Sequence, residues 1–143
     1  MNVYFKKLNE KAHAPLFASA DAAGVDLYSV AAAEIAPGGT VKVGTGLSME
    51  IPIGCFGALF ARSGLATKQG LRPANCVGVI DSDYRGEIIV ALHNDSNELQ
   101  EIEEGERIAQ LVILPLPTIS YVEATELTDT ERGVGGFGHS GKN

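Results

Sequence analysis

Residues 75–94 read NCVGVIDSDYRGEIIVALHN, which is two apolar runs separated by a short polar turn. Valine and isoleucine, which are frequent in both runs, favour strands, whereas the Asp, Ser and Gly between them favour turns. The stretch therefore predicts a β-hairpin. Gly78 lies in its first strand, where a missing side chain permits a bulge or the close approach of a ligand.

Similar runs recur along the chain at spacings of roughly 8–12 residues, a pattern that is typical of a β sandwich or barrel. These strand-like runs are Leu47–Ile51, Cys55–Phe60, Glu87–His93 and Ile108–Leu114. Turn signals separate them at Ala36–Gly39, Pro52–Gly54 and Glu103–Glu106. In the first run, Leu47, Met49 and Ile51 alternate with Ser48 and Glu50, which predicts one inward face and one outward face.

Length and composition indicate one domain, because 143 residues that are 45% hydrophobic can bury a single core. The net charge of −7 disfavours a nucleic-acid partner, although a small phosphorylated ligand needs only a few donors. The sequence contains no apolar run of the roughly 18 residues that a membrane helix needs and no signal-peptide pattern. Cys55 and Cys76 are far apart, so we expect two reduced thiols in the core and an intracellular setting, cytoplasmic or nuclear.

Residues 61–70, ARSGLATKQG, interrupt the strand pattern. They predict a short helix over Leu65–Gln69, capped by Ser63 and ended by Gly70. With Arg62 beside it, the start of this helix offers donors to a phosphate, but an ordinary capped surface helix has the same sequence.

Asp81 and Asp83 flank Ser82 in the polar turn, next to Tyr84. A carboxylate held there can take a proton from water, although Asp and Ser also favour turns for their own hydrogen bonding. Neither Asp26 nor Gln110 is informative alone. The three histidines lack metal-ligand spacing, so we expect no zinc site.

Residues 132–143, RGVGGFGHSGKN, hold five glycines around one phenylalanine, one arginine and one histidine. Each glycine costs about 0.5–1 kcal/mol of extra backbone entropy on ordering. We therefore expect a flexible arm that does not order by itself.

Five segments in this order resemble the five motifs of the homotrimeric deoxyuridine triphosphatases (dUTPases). They are AGVDLYS (23–29), ARSGLA (61–66), GVIDSDYRGE (78–87), GERIAQL (105–111) and RGVGGFGHSG (132–141). The resemblance implies an all-β, distorted jelly-roll-like barrel or sandwich with one short helix, over residues 1–124, and a Gly-rich C-terminal arm, residues 125–143. The arm would cross to a neighbouring subunit of a homotrimer.

The implied activity is hydrolysis of dUTP to dUMP and pyrophosphate, which limits uracil incorporation into DNA and supplies dUMP for dTMP synthesis. Mg²⁺ would be held by the substrate phosphates and waters, with no direct protein ligand. Asp81 would activate the water that attacks the α-phosphorus. Asn75, with backbone groups of Gly78 and Val79, would bind uracil, and Tyr84 would lie beneath the deoxyribose.

The resemblance also assigns residues to the phosphates and to the arm. Phosphate contacts would come from Arg62, Ser63, Gly64 and Gln110, of which Gln110 would also contact the water, while Asp26 would support the site and the water shell of the metal. In the arm, Phe137 would stack on uracil and Arg132 would reach the γ-phosphate. Gly138, His139 and Ser140 would line the triphosphate.

The chain departs from the family pattern at Ala61, where proline is common, and at His139-Ser140, where Ser-Thr is common. Two other functions are compatible with a related fold. One is a dCTP deaminase, which the Gly-rich arm disfavours. The other is a non-catalytic trimeric β module, which the presence of Asp81, Tyr84, Arg132 and Phe137 disfavours.

Overall fold

The computed structural model describes residues 1–137, and its regular structure is eleven short strands and one helical turn. The strands are β1 Tyr4–Lys7, β2 Val25–Tyr28, β3 Ala33–Ile35, β4 Thr40–Gly44, β5 Leu47–Glu50, β6 Cys55–Phe60, β7 Leu71–Pro73, β8 Gly78–Ile80, β9 Ile89–Asn94, β10 Gln100–Ile102 and β11 Arg107–Pro115. All strand pairs are antiparallel. The predicted all-β class is confirmed.

Two sheets and two ribbons make up the fold. The larger sheet has the order β2-β11-β6-β8, the smaller has the order β4-β9-β7, and the ribbons are β1-β5 and β3-β10. Buried side chains from both sheets, among them Leu27, Leu111, Val90 and Leu92, form one apolar cluster. Burying a side chain of this size contributes about 1.5–3 kcal/mol, so this shared core holds the sheets together.

The longest strand, β11, lies between β2 and β6 and is the centre of the larger sheet. Its sequence RIAQLVILP is apolar over most of its length, as a strand paired on both sides requires. The strand runs Arg107–Pro115 and so confirms the predicted run, including its end at proline, and Cys55–Phe60 is a strand as predicted. The three predicted turns are also present, with hydrogen bonds from Gly39 N to Ala36 O, Cys55 N to Pro52 O and Glu106 N to Glu103 O.

The predicted hairpin over residues 75–94 is wrong. Both of its runs are strands, but β8 pairs with β6 and β9 pairs with β4 and β7. Residues 81–88 therefore pass from one sheet to the other. Local sequence favours a strand at each run, whereas packing against the rest of the chain selects its partner.

The alternation in β5 also fails at one position. Ser48, expected on the outward face with Glu50, is only 9% exposed. Its hydroxyl donates to the carbonyl of Arg85 over 2.7 Å, and this hydrogen bond offsets the cost of burying the polar side chain.

Of the two cysteines, which are both free, only Cys55 lies in the core as expected. Cys76 is exposed in the turn that follows β7, with its N–H donated to Pro73 O and a φ of 61°. The prediction of a core position for Cys76 was wrong because a turn, and not a strand, continues from β7.

After Pro115 the chain leaves the sheets. Residues 116–137 contain no strand, and all of them except Gly135 are exposed. Within residues 1–137, the structure has no helix that is long and apolar enough to cross a bilayer.

Candidate active site

A cleft of about 250 Å³ opens beside β8, between that strand and the segment that leads into β9. Five residues that the sequence predicted for the site line it, namely Asn75, Gly78, Val79, Asp81 and Tyr84. The cleft combines backbone groups, an amide, a carboxylate and an aromatic ring, which are the groups that orient a small polar ligand.

Asp81 stands at the mouth of this cleft because β8 ends one residue before it, at Ile80. Its carbonyl accepts the N–H of Tyr84 over 3.2 Å, which closes a tight turn. Its side chain is exposed and, within residues 1–137, accepts no hydrogen bond. A carboxylate in that setting is accessible to a water molecule.

The inner wall of the cleft is backbone at Gly78, which is buried. A Cβ placed there would lie 3.1 Å from Cβ of Leu59 and 3.6 Å from Nδ2 of Asn75. The glycine therefore lets β8 pack closely on β6 and leaves room beside the Asn75 amide. Val79, the next residue, also lines the cleft and is 64% exposed.

Tyr84 lies across the other side, with 45% of the residue exposed. Its hydroxyl donates to the carbonyl of Glu87 over 2.9 Å. The turn beneath it is held by Arg85, whose Nη1 donates to the carbonyls of Ser82 and Tyr84 over 2.7 and 3.0 Å. The ring is thus fixed at its tip and at its base.

A second polar cluster lies on the larger sheet, where β2, β11 and β6 come together. The Asp26 carboxylate accepts from Arg62 Nε at 3.0 Å and from Arg107 Nη1 at 3.3 Å. Gln110 lies opposite Asp26 in the strand register and donates from Nε2 to Ala61 O over 2.9 Å. This cluster contains the predicted residues Asp26, Arg62 and Gln110.

The predicted helix is present as one π-helical turn, Leu65–Gln69, and it ends as expected at Gly70, which has a φ of 69°. The predicted cap is wrong. No side chain caps the turn. Helical backbone already begins at Ser63, whose carbonyl accepts the Thr67 hydroxyl at 2.7 Å. Ser63 and Gly64 are both exposed.

These two groups of site residues are apart within one chain. Ile80, which precedes Asp81, pairs with Gly57 in the middle of β6, and Arg62 follows five residues later, past the end of that strand. At about 3.3 Å per residue, that separation is roughly 16 Å. Accordingly, neither Arg62 nor Gln110 lines the cleft that contains Asp81.

Of the predicted arm residues, Arg132 and Phe137 are described, and both lie outside the cleft. Arg132 is exposed and donates from Nε to Gly135 O at 2.8 Å, and Phe137 is fully exposed. The predicted Gly138, His139 and Ser140 lie outside the described residues.

The cleft is also lined by residues that were not predicted from the sequence, and Glu87 is the charged one among them. Glu87 is half-buried, lines the cleft, and accepts the Gly46 N–H on Oε1 at 2.7 Å. Glu87 is the first residue of an apolar strand-like run, and that sequence pattern does not predict this contact. Within residues 1–137, the structure has no cluster of three His, Cys, Asp or Glu side chains that could bind a metal ion.

The model of the dUTPase family matches residues 10–141. This chain belongs to the dUTPase family. A deoxyuridine 5'-triphosphate nucleotidohydrolase of Nautilia profundicola is 50% identical over 142 residues, covering 99% of this chain and 100% of the relative. The family assignment therefore applies to the whole chain, the arm included.

Solved dUTPase structures confirm the fold. A dUTPase variant of Staphylococcus bacteriophage 80alpha with dUpNHpp has a TM-score of 0.89 and 30% identity, covering 98% of each chain. A dUTPase variant of phage phi11 of S. aureus, described with a structural Mg(II) ion, has a TM-score of 0.80 and 25% identity, covering 88% of this chain and 98% of the other. The predicted jelly-roll-like dUTPase fold is confirmed.

Proposed function

We propose that the cleft beside β8 is the nucleoside-binding part of a dUTPase active site, in which dUTP is hydrolysed to dUMP and pyrophosphate. The single observation that carries this proposal is the convergence of Asn75, Asp81 and Tyr84 on one cleft, with the Gly78 backbone as its inner wall. The dUTPase relatives support the choice of substrate.

Asp81 is the general base. Its exposed carboxylate accepts a proton from a water molecule as the water oxygen bonds to the α-phosphorus. The bond from that phosphorus to the bridging oxygen breaks, and pyrophosphate leaves. A positioned base of this kind accelerates a reaction by about 10²–10⁴.

Uracil lies against β8. The Asn75 amide and the main-chain groups of Gly78 and Val79 hydrogen-bond the polar edge of the base, and all three residues line the cleft. Tyr84 lies beneath the deoxyribose, where its ring leaves no space for a 2′-hydroxyl. A site lined in this way selects both a uracil base and a deoxy sugar.

The phosphates are bound by Arg62, Ser63, Gly64 and Gln110 of a neighbouring subunit. This assignment follows from the separation of roughly 16 Å between Arg62 and the Asp81 cleft along one chain, estimated from strand geometry. A homotrimer, in which each cleft meets the phosphate-binding residues of another copy, brings the two halves together. Asp26 holds Arg62 in place through its ion pair.

Mg²⁺ fits this site as a substrate-bound ion. The part of the chain that the structure describes has no cage of metal-ligating side chains, and Mg²⁺ in nucleotide sites keeps several waters and binds mainly to phosphates. When bound, it neutralises negative charge on the triphosphate. Asp26, half-buried between two arginines, supports the surrounding water shell without direct ligation.

The C-terminal arm, assigned to residues 125–143, closes over the cleft of a neighbour. Phe137 stacks on uracil, Arg132 reaches the γ-phosphate, and Gly138, His139 and Ser140 donate along the triphosphate. Full exposure of the Phe137 ring in the isolated chain supports this, because the ring has nothing to pack on until a partner or ligand provides a surface.

The two free thiols support an intracellular location, cytoplasmic or nuclear.

The test is release of pyrophosphate from dUTP with Mg²⁺, measured beside dTTP, dCTP and UTP. We expect release from dUTP alone and a loss of about 10²–10⁴-fold in Asp81→Asn. Asp83→Asn is the matched control, because it makes the same charge change in the same exposed turn and should retain activity. Ammonia release from dCTP would instead indicate a deaminase, and binding without turnover would indicate a nucleotide-binding module.

A further inference from the structure

Tyr84 folds back over the main chain two residues further on. A Cβ built on Gly86 would overlap the Tyr84 hydroxyl oxygen and would lie 2.5 Å from Cζ and 2.9 Å from Cε2 of the ring. These distances are shorter than real Cβ atoms show, so the ring occupies space that any residue other than glycine would fill. The ring of Tyr84 therefore packs directly on the Cα of Gly86, which we call the seat of the ring.

The acceptor that holds the tip of the ring is itself fixed. Tyr84 donates to the carbonyl of Glu87, and the Glu87 carboxylate accepts the Gly46 N–H on Oε1 at 2.7 Å. The next residue, Ile88, donates its N–H to Leu47 O at 2.7 Å. The seat and the acceptor together give the ring one position.

On the cleft side the ring borders the space where Asp81 and Asn75 converge. Its orientation there depends on Gly86 and not only on the tyrosine itself, because a displaced ring no longer closes the same wall. The backbone at Gly86 does not have the positive φ that would bar other residues, so alanine fits the main chain and conflicts only with the tip of the Tyr84 side chain.

We propose that Gly86 is a specificity-determining position, which holds the Tyr84 ring against the sugar and so sets the preference for deoxyribonucleotides over ribonucleotides. The proposal rests on the proposed function, since it assigns the sugar to Tyr84. Gly86 touches no substrate and acts through Tyr84 as a positioning residue.

The test is the ratio of kcat/KM for dUTP to kcat/KM for UTP in Gly86→Ala. We expect a folded enzyme whose ratio falls by about tenfold or more, through a higher KM for dUTP and a relative gain for UTP, the scale of a pocket altered by one methyl group. Asp83→Ala, an exposed side chain in the same turn, should leave the ratio unchanged. An unchanged ratio in a folded Gly86→Ala protein would overturn the proposal.

A double-mutant cycle separates the seat from a general effect on the turn. In a Tyr84→Ala background there is no ring to displace, so adding Gly86→Ala should not lower the ratio further. An equal loss with and without the ring would show that Gly86 acts elsewhere and would overturn the proposal.

The crystal structure of Gly86→Ala provides a readout that needs no activity. We expect the ring to leave the seat and the hydroxyl to lose its contact with Glu87, and a ring in its original place would refute the mechanism. If the wild-type protein does not hydrolyse dUTP, the proposed function and the assignment to sugar choice both fail. The displaced ring would still establish Gly86 as its seat.

Discussion

Arg62 donates from Nε to Oδ1 of Asp26 over 3.0 Å, which ties the segment after β6 to strand β2. Both side chains are largely covered, with 26% and 19% exposed, and Arg107 takes the second oxygen of the same carboxylate. Asp26 therefore orients an arginine that the proposed function assigns to phosphate. It does so without itself lying in the cleft.

Asp26→Asn should weaken that orientation, because the neutral amide loses the charge-assisted contact to Arg62. We expect a fall in kcat/KM for dUTP of about 10²-fold, the scale of a misplaced positioning group. Steady-state pyrophosphate release measures it. The matched control is Glu34→Gln, an exposed carboxylate on β3 that is expected to have wild-type kinetics. Wild-type kinetics in Asp26→Asn would refute this role.

Phe137→Ala should change binding but not folding. The ring is fully exposed in the chain, so its removal should leave the melting temperature unchanged. Removing an aromatic side chain that stacks on a base weakens binding by about 1–3 kcal/mol per base, so the KM for dUTP should rise. Calorimetry and kinetics on the same sample test both expectations. A lower melting temperature would mean that Phe137 is packed in the free protein.

Leu111→Ala should lower the stability of the protein, which Phe137→Ala should leave unchanged. Leu111 is 2% exposed in the centre of β11, and truncation of a leucine in such a core costs about 2–5 kcal/mol. Urea unfolding should show a clear loss of stability. The control is Val134→Ala, a fully exposed apolar side chain that should have little effect. Equal stability of the two variants would contradict the described core.

Asp95 should make the stability of the protein depend on pH in the acid range. Arg72 donates to it from Nε and Nη2, at 2.5 and 3.0 Å. The hydrogen bond from Arg72, with charge attraction from Arg72 and His93, lowers the pKa of Asp95 against a smaller opposing effect of desolvation. In return, the same pair raises the pKa of Arg72.

Because the folded-state pKa of Asp95 is depressed, its contribution is complete above the unfolded-state pKa and is lost as the pH falls through the folded-state value. Asp95→Asn should therefore melt below the wild type at neutral pH, with the difference shrinking as the pH falls through the acid range. Melting temperatures across that range measure it. A difference that is constant with pH would exclude the ion pair as its cause.

The runs that the sequence identified as strands are strands in the structure, whereas the pairing of β8 and β9 was wrongly predicted. Residues 108–114 and 55–60 are apolar runs with turn signals beside them, and such local patterns are enough to specify strands. The pairing of β8 with β6, and of β9 with β4 and β7, depends on contacts between distant parts of the chain. Local pattern contains no information on those contacts, so the hairpin prediction failed.

The candidate site shows the same limit. Motif resemblance assigned Asn75, Asp81 and Tyr84, and the structure places them in one cleft. The motif resemblance could not show that Arg62 lies away from these three residues, since that follows from the register of β6. Nor could it show the role of Gly86, which depends on how the Tyr84 side chain folds back over the main chain.

The central position of β11 has a consequence for synthesis of the protein. Strands β2 and β6 do not pair with each other, and each is joined to the sheet through β11. A chain emerging from the ribosome therefore carries β2 unpaired, and β6 paired on one side only with β8, until residue 115 has left the exit tunnel. Such edges associate readily with other strands. Asp81 and Arg62 are thus translated before β11, so a nascent chain should expose β2 and one side of β6 to other strands until β11 is added.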